Sequence, residues 1–476
     1  MHDLVVRGGR VALDDGWAEC DIGITDGRIA ELGTGVRADT AIDAGGRWVL
    51  PGGIDAHCHL DQPSWGGAAS ADDFESGSIA AAFGGTTCMV PFAMPGPGMT
   101  SIDAFDRATR CAAGRSVIDY GLHGVVTAET GADLAHQFDV LARQGVTSIK
   151  VFMTYEGFAV GDETLLAVLD EARTLGFLVM VHAENDAAIR RTRNRLIELG
   201  RTDLRYHAVA HARVMEREAT HRAVALAEIS GTRLVVVHVS CRQSAEEVLR
   251  GQQRGARVFA ETCPQYLFLS AADLDRDAAQ AARYVFSPPP RAPSDQAYLW
   301  EALTRGDIAL WSSDHSPSML ADKLGADGKP AFHKAVSGIP GIETRLPLLF
   351  CEGLLTGRLS LQRYLAVTGG NAASLYGLDH VKGRIALGLD ADLAIWDPAV
   401  RWRLMREAMH SKVDYIPYEG RTITGKPVTT LVRGMPVVLD GILCPATGAG
   451  RFVPRKAGDP RDNPIAIEDT TPWLDT

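Results

Sequence analysis

Between residues 148 and 182 the chain reads Ser148-Ile149-Lys150-Val151-Phe152-Met153, then a helical stretch over Thr164–Leu175, then Leu178-Val179-Met180-Val181-His182. Both flanking runs are almost continuously apolar, the pattern of strands covered on both faces of a parallel sheet. Between them Leu165, Leu166, Val168, Leu169 and Ala172 share one helical face. Strand, helix and strand in that order make a βαβ crossover.

The unit repeats in both directions. Apolar runs of strand length fall at Thr86–Ala93, Ser116–Val126, Leu234–Val237, Val258–Ala260 and Ile308–Trp311, with a further helical stretch at Val214–Ile229. About eight such units between residues 52 and 378 predict an α/β fold, a closed (β/α)8 TIM barrel rather than an open doubly wound sheet. No GxGxxG follows the early strands, so a dinucleotide site has no support. Outside the barrel the pattern changes to short strands and tight turns. Leu4-Val5-Val6 precedes Gly8-Gly9, and Asp26-Gly27 separates Ile22 and Ile24 from Ile29 and Leu32, a hairpin signal. Strands are expected again at Gly383–Ala386, Ala391–Trp396 and Thr429–Leu439, punctuated by Gly388, Asp397-Pro398 and Gly434. Residues 1–51 and 379–445 are therefore expected to form one small β-sandwich beside the 52–378 barrel. Residues 446–476, Pro-bearing and charged, read as an extension or oligomerisation arm.

Composition narrows the function. The 476 residues carry 48 Lys and Arg against 59 Asp and Glu, a net charge of −11, with 46 % hydrophobic residues. That balance suits a globular protein and excludes a disordered chain. Its acidity argues against nucleic-acid binding, which needs clustered cations. No apolar run approaches the ~18 residues of a spanning helix, and no signal peptide opens the chain, so no membrane association is expected. Eight cysteines without a CxxC pair read as scattered thiols of a cytoplasmic protein.

Polar residues stand at the ends of the apolar runs. Ile54-Asp55-Ala56-His57-Cys58-His59 closes the first, and His57 and His59, two residues apart, project from one strand face. His182 ends the run Leu178–Val181, His238 ends Leu234–Val237, and Asp314 follows Ile308–Ser313. A single such histidine is more often a hydrogen-bonded core residue. Four histidines and a carboxylate in the same position, on strands whose carboxyl ends converge, indicate a metal site. Lys150 sits inside an apolar strand, where an ammonium is costly to desolvate. Either its side chain snorkels to solvent, or the amine is neutral and takes up carbon dioxide as a carbamate that bridges two metals.

The chain resembles the dihydropyrimidinase/D-hydantoinase group of cyclic amidohydrolases, in the amidohydrolase superfamily. The likeness runs through GGIDAHCHLD (Gly52–Asp61), ADDFESG (Ala71–Gly77), AAAFGGTT (Ala80–Thr87), IKVFMTY (Ile149–Tyr155), VHAEN (Val181–Asn185), ETCPQYL (Glu261–Leu267), SPPPR (Ser287–Arg291), SSDHSP (Ser312–Pro317) and ITGKPV (Ile423–Val428). It implies two divalent ions, usually zinc, with His57, His59 and Asp314 on one, His182 and His238 on the other, and Lys150 as N6-carboxylysine between them. It also implies Tyr155 as the oxyanion donor, Asp314 as proton shuttle, main-chain groups of Ser287 and Ser337 as ring contacts, and a homotetramer. Gln265 stands where allantoinases usually carry His, and Ser337 where dihydropyrimidinases usually carry Asn. The loop Asp61–Gly67 lacks the Met and Phe common there. The implied activity is hydrolytic opening of a hydantoin or dihydropyrimidine to an N-carbamoyl amino acid. The alternatives are an allantoinase or other cyclic imide hydrolase, and a catalytically silent scaffold of the same fold.

Overall fold

The computed structural model describes residues 1–63, 68–130, 133–325, 328–444 and 448–459. Parallel strands at Gly53–Asp55, Thr86–Met89, Ser148–Phe152, Leu178–His182, Leu234–Val236, Val258–Thr262 and Ile308–Trp311 form seven staves of a TIM barrel. The third stave, expected as one run over Ser116–Val126, is two short pieces. Asp119–Tyr120 pairs with Thr86–Met89, and Gly124–Val125 with Ser148–Phe152. Between them the Gly121 and His123 N–H groups donate to the carbonyls of Met89 and Pro91, so the stave bends without leaving the wall. The barrel closes where Cys58 bridges His315 in parallel and the Asp314 N–H donates to the His57 carbonyl at 2.9 Å. Closure therefore fuses the first and last strands at the residues read as metal donors.

The strand cores are buried because apolar residues face both the barrel interior and the outer helices, as the unbroken runs require. Met180 and Val235 lie among the residues filling the interior, while Val179 and Val236 belong to the cluster shared with the helices. The expected helices appear as Asp162–Thr174 and Arg213–Ser230. No helix among the described residues is long and apolar enough to cross a membrane.

Both chain ends build the two sheets beside the barrel. In one, His2–Arg7, Asp21–Thr25, Arg28–Gly33 and Ala38–Asp43 associate, with Asp26-Gly27 at the expected hairpin turn. In the other, Trp48–Pro51 pairs antiparallel with Leu393–Arg403, joining residues from opposite ends of the chain. Val6, Ile24, Val49, Ile395 and Leu431 pack between the sheets. Two strand expectations need correction. Gly383–Ala386 forms no strand; it bends at Gly383, at φ +99°, where Lys382 beside it is drawn into an ion cluster. Asp397-Pro398 does not end its strand; the register shift between Asp397 and Arg401 absorbs the proline, and pairing continues to Arg403.

Lys382 ties the two units together. Its buried Nζ lies 2.8 Å from Asp119 of the barrel, and 3.0 and 2.7 Å from Asp390 and Asp392. The three carboxylates could by themselves hold a metal ion, but the ammonium, with the Arg433 guanidinium on Asp119 and the Arg451 guanidinium 3.6 Å from Asp390, already offsets their charge. Burial opposes its charge, yet the carboxylates outweigh that and hold the amine well above its ordinary range. Lys382→Met should cost about 3–5 kcal/mol in unfolding free energy, because Asp390 and Asp392 would lose their buried cation. Urea denaturation measures this, and a loss below about 1 kcal/mol would show that the cluster does not join the units.

Residues 448–459, within the stretch read as an arm, lie along this subunit's own barrel. Val453 donates its N–H to the Tyr120 carbonyl, and Arg455 and Gly458 donate theirs to Gly145 and Gly176, in the loops entering two strands. The Arg455 guanidinium is buried and bonds Ser148 Oγ and the Leu122 carbonyl. Residues 460–476 of the same expectation lie outside the described residues.

Candidate active site

Where the barrel strands end, a cavity of about 440 Å³ opens, lined by His57, His59, Lys150, Tyr155, His182, His238, Ser287, Asp314 and Ser337. All nine residues singled out in the sequence thus meet in one place. They meet because parallel strands pair in register: Phe152 lies beside His182, and Val181 beside Val236 just before His238. Three of them, Tyr155, His238 and Asp314, hold positive φ angles of +81°, +41° and +49°. Such backbone costs a non-glycine residue about 1–3 kcal/mol and persists only where the surroundings impose it.

Donor atoms of His57, His59 and Asp314 lie within 4.8 Å of one another. Asp314 Oδ1 is 3.1 Å from His57 Nε2 and 3.4 Å from His59 Nε2. The second pair of imidazoles is close by: ring centroids are 5.4 Å apart for His57 and His238, and 4.4 Å for His238 and His182. Lys150 is only 1 % exposed, which removes the snorkelling alternative. Its Nζ approaches the rings of Phe92 and Phe152 at 5.3 and 5.1 Å and has no hydrogen-bond partner among the described residues. Burial pushes the amine down to about 7.

Several further residues orient these donors, a role the sequence reading gave to none of them. The buried Glu261 carboxylate lies 2.6 Å from His57 Nδ1 and accepts the His238 N–H at 3.1 Å. That fixes the His57 tautomer and leaves Nε2 facing Asp314. Glu184 lies 2.8 Å from His182 Nε2 and 2.9 Å from His211 Nδ1. The Gln62 amide lies 2.6 Å from His59 Nδ1, and Gln265 donates to Asp314 Oδ2 at 3.4 Å. Glu261 was findable, since it stands near the carboxyl end of an apolar strand like the histidines. Glu184 and Gln62 lie two and three residues from the imidazoles they bond, and Gln265 reaches Asp314 across the fold, but none of the three interrupts an apolar run. Residues 64–67 of the Asp61–Gly67 loop lie outside the described residues.

Charge states suit metal ligation. Burial lowers His59, His182 and His238, favouring the neutral imidazole that a metal needs. His57 is opposed by burial too, but Glu261 and Asp314 raise it to about 9. For Asp314 burial acts upward, yet the neighbouring imidazoles outweigh it and keep the carboxyl well below its usual range. Burial lifts the Tyr155 phenol well above 10, so it remains an O–H donor. Three neutral imidazoles beside His57, an ionised carboxylate and an amine with no partner among the described residues, gathered around one point, fit a pair of divalent ions.

Donors of this kind at the carboxyl mouth of a (β/α)8 barrel are what metal-dependent hydrolases use to acidify water. Comparison places the molecule more narrowly: residues 48–437 match the amidohydrolase family, and the chain belongs to it. D-hydantoinase of Geobacillus stearothermophilus is 42 % identical over 458 residues, 96 % of this chain and 97 % of that protein. Among solved structures, D-hydantoinase from Bacillus sp. AR9 superposes with a TM-score of 0.92 at 39 % identity, covering 96 % of this chain and all of the other. Dihydropyrimidinase from Brevibacillus agri NCHU1002 does so at 0.92 and 37 % identity, over 95 % and 98 %. The molecule is a cyclic amidohydrolase.

Proposed function

We propose that this enzyme opens hydantoin or dihydropyrimidine rings to N-carbamoyl amino acids, using two zinc ions. The observation that carries the reading is the convergence of six metal-donor residues with Tyr155, Ser287 and Ser337 on one cavity. Its relatives include proteins named D-hydantoinase and dihydropyrimidinase. His57, His59 and Asp314 would hold one ion, His182 and His238 the other, and Lys150, as a carbamate, would join them. The buried, lowered amine supports that modification, because only a neutral amine adds to carbon dioxide. Six donor residues exceed what one tetrahedral zinc uses.

When bound, the ions would acidify the attacking water and polarise the ring carbonyl. Asp314 takes the water proton. As water oxygen bonds to the ring carbonyl carbon, the Tyr155 hydroxyl donates to the oxygen that gains charge. The carbon–nitrogen bond then breaks, and Asp314 delivers its proton to the leaving nitrogen. Ser287 and Ser337 main-chain groups orient the ring, while Met94, Phe152 and Phe158 line the cavity and limit water.

A turnover panel of dihydrouracil, 5-substituted hydantoins and allantoin, run with elemental analysis, tests the reading. At least one hydantoin or dihydropyrimidine should open to its N-carbamoyl product, with about two ions per chain. Turnover confined to allantoin would move the specificity to the neighbouring class. Metal-loaded protein that opens no ring would favour the silent scaffold. All six metal donors come from one chain, so a homotetramer, which we also propose, is not required to complete the metal set.

A further inference from the structure

Lys323 is a further fully buried lysine, on the short helix Leu320–Leu324 and outside the cavity lining. Its Nζ donates to the Val285 carbonyl at 2.9 Å and the Val336 carbonyl at 2.8 Å. Those carbonyls belong to two chain segments that line the cavity side by side. Phe286 and Ser287 follow the first, and Ser337 and Gly338 follow the second. The segments also touch directly: the Gly338 N–H donates to the Val285 carbonyl at 3.1 Å, and Ser337 Oγ donates to Ser287 Oγ at 3.2 Å. On the far side there is no slack. A Cβ at Gly338 would come within 2.6 Å of the Ser316 carbonyl oxygen.

Among the described residues, no carboxylate contributes to the charge balance of this amine. Burial alone pushes it down to about 7. A neutral amine has two N–H groups, matching the two carbonyls, whereas an ammonium would bring a third donor. A long, flexible, costly side chain is thus held in one geometry by two main-chain acceptors, one immediately preceding Ser337 and the other two residues before Ser287, the serines read as ring contacts.

We propose that Lys323 is a positioning residue for the ring: its side-chain nitrogen ties the 285–287 segment to the 336–338 segment and sets the spacing of their main-chain groups. The inference deepens the ring-opening reading and rests on it. Lys323 touches neither ring nor metal donor, so its contribution is to binding shared by substrate and transition state. Loss of such uniform binding raises KM and leaves kcat near its original value.

The test is steady-state kinetics of Lys323→Met and Lys323→Gln on the best ring substrate of the panel, with metal content and melting temperature measured alongside. Met fills similar volume and donates nothing. It should raise KM about 10–100-fold, the scale of a binding group displaced by about 1 Å, with metal content unchanged. Gln, whose amide can still donate, should raise KM less. Should Met fail to fold, Gln decides: a raised KM with intact metals supports the tie, and a wild-type KM overturns it. A Met variant with wild-type KM overturns it as well, as does loss of kcat and metal together at unchanged KM, which signals general destabilisation. Wild-type protein that opens no ring would overturn the ring-opening reading and this inference together. Wild-type turnover with KM indifferent to Lys323 would overturn the inference alone.

Discussion

Asp314→Asn should lower turnover of a cyclic amide by about 10²–10⁴-fold, the range lost with a general acid–base. The amide has nearly the volume of the carboxylate but cannot accept a proton from water at neutral pH. The two carboxylate oxygens are placed differently: Oδ1 faces His57 and His59, while Oδ2 receives the Gln265 amide at 3.4 Å. One oxygen can therefore serve a metal while the other handles the proton. Metal content, measured with the rate, separates the two duties. Near-full occupancy with collapsed turnover identifies the shuttle, and collapsed occupancy assigns the loss to ligation. A variant that keeps its metals and a near-normal rate would refute the shuttle.

Lys150→Ala is expected to lose metal and activity together, by more than about 100-fold. Removing a mere supporting partner of a ligand already costs about 10–100-fold in metal affinity, and a bridging ligand should exceed that. Added short carboxylic acids should restore part of both, since an anion could occupy the space the truncated side chain vacates beside Phe92 and Phe152. Full activity in the unrescued variant would eliminate the anionic bridge.

The barrel was legible because every stave needs both faces apolar, and its donors because each interrupts such a run at the same end. His182 and His238 announce themselves after four consecutive apolar residues. Glu261 obeys the same rule but sits in a mixed run, Val258-Phe259-Ala260-Glu261-Thr262, where an acidic residue passes for an ordinary strand end. Lys323 and Glu184 were illegible for another reason: Lys323 bonds distant carbonyls and Glu184 bonds His211 as well as the nearby His182, and such bonds impose no periodicity. The split third stave and the bend at Gly383 failed similarly. Apolar composition marks a segment as buried, but whether it pairs continuously depends on neighbours such as Lys382 and its three carboxylates.

The antiparallel join between Trp48–Pro51 and Leu393–Arg403 also has a history in time. On a ribosome, the strand ending at Pro51 is made first and its partner about 340 residues later, a wait of roughly 17–70 s at ordinary elongation rates. Through that interval the early strand edge presents unpaired N–H and C=O groups, with Val49 lacking its late-made neighbours Ile395 and Leu431. Newborn chains must therefore be shielded from pairing with one another, and overproduction should favour inclusion bodies unless synthesis is slowed or holdase capacity raised.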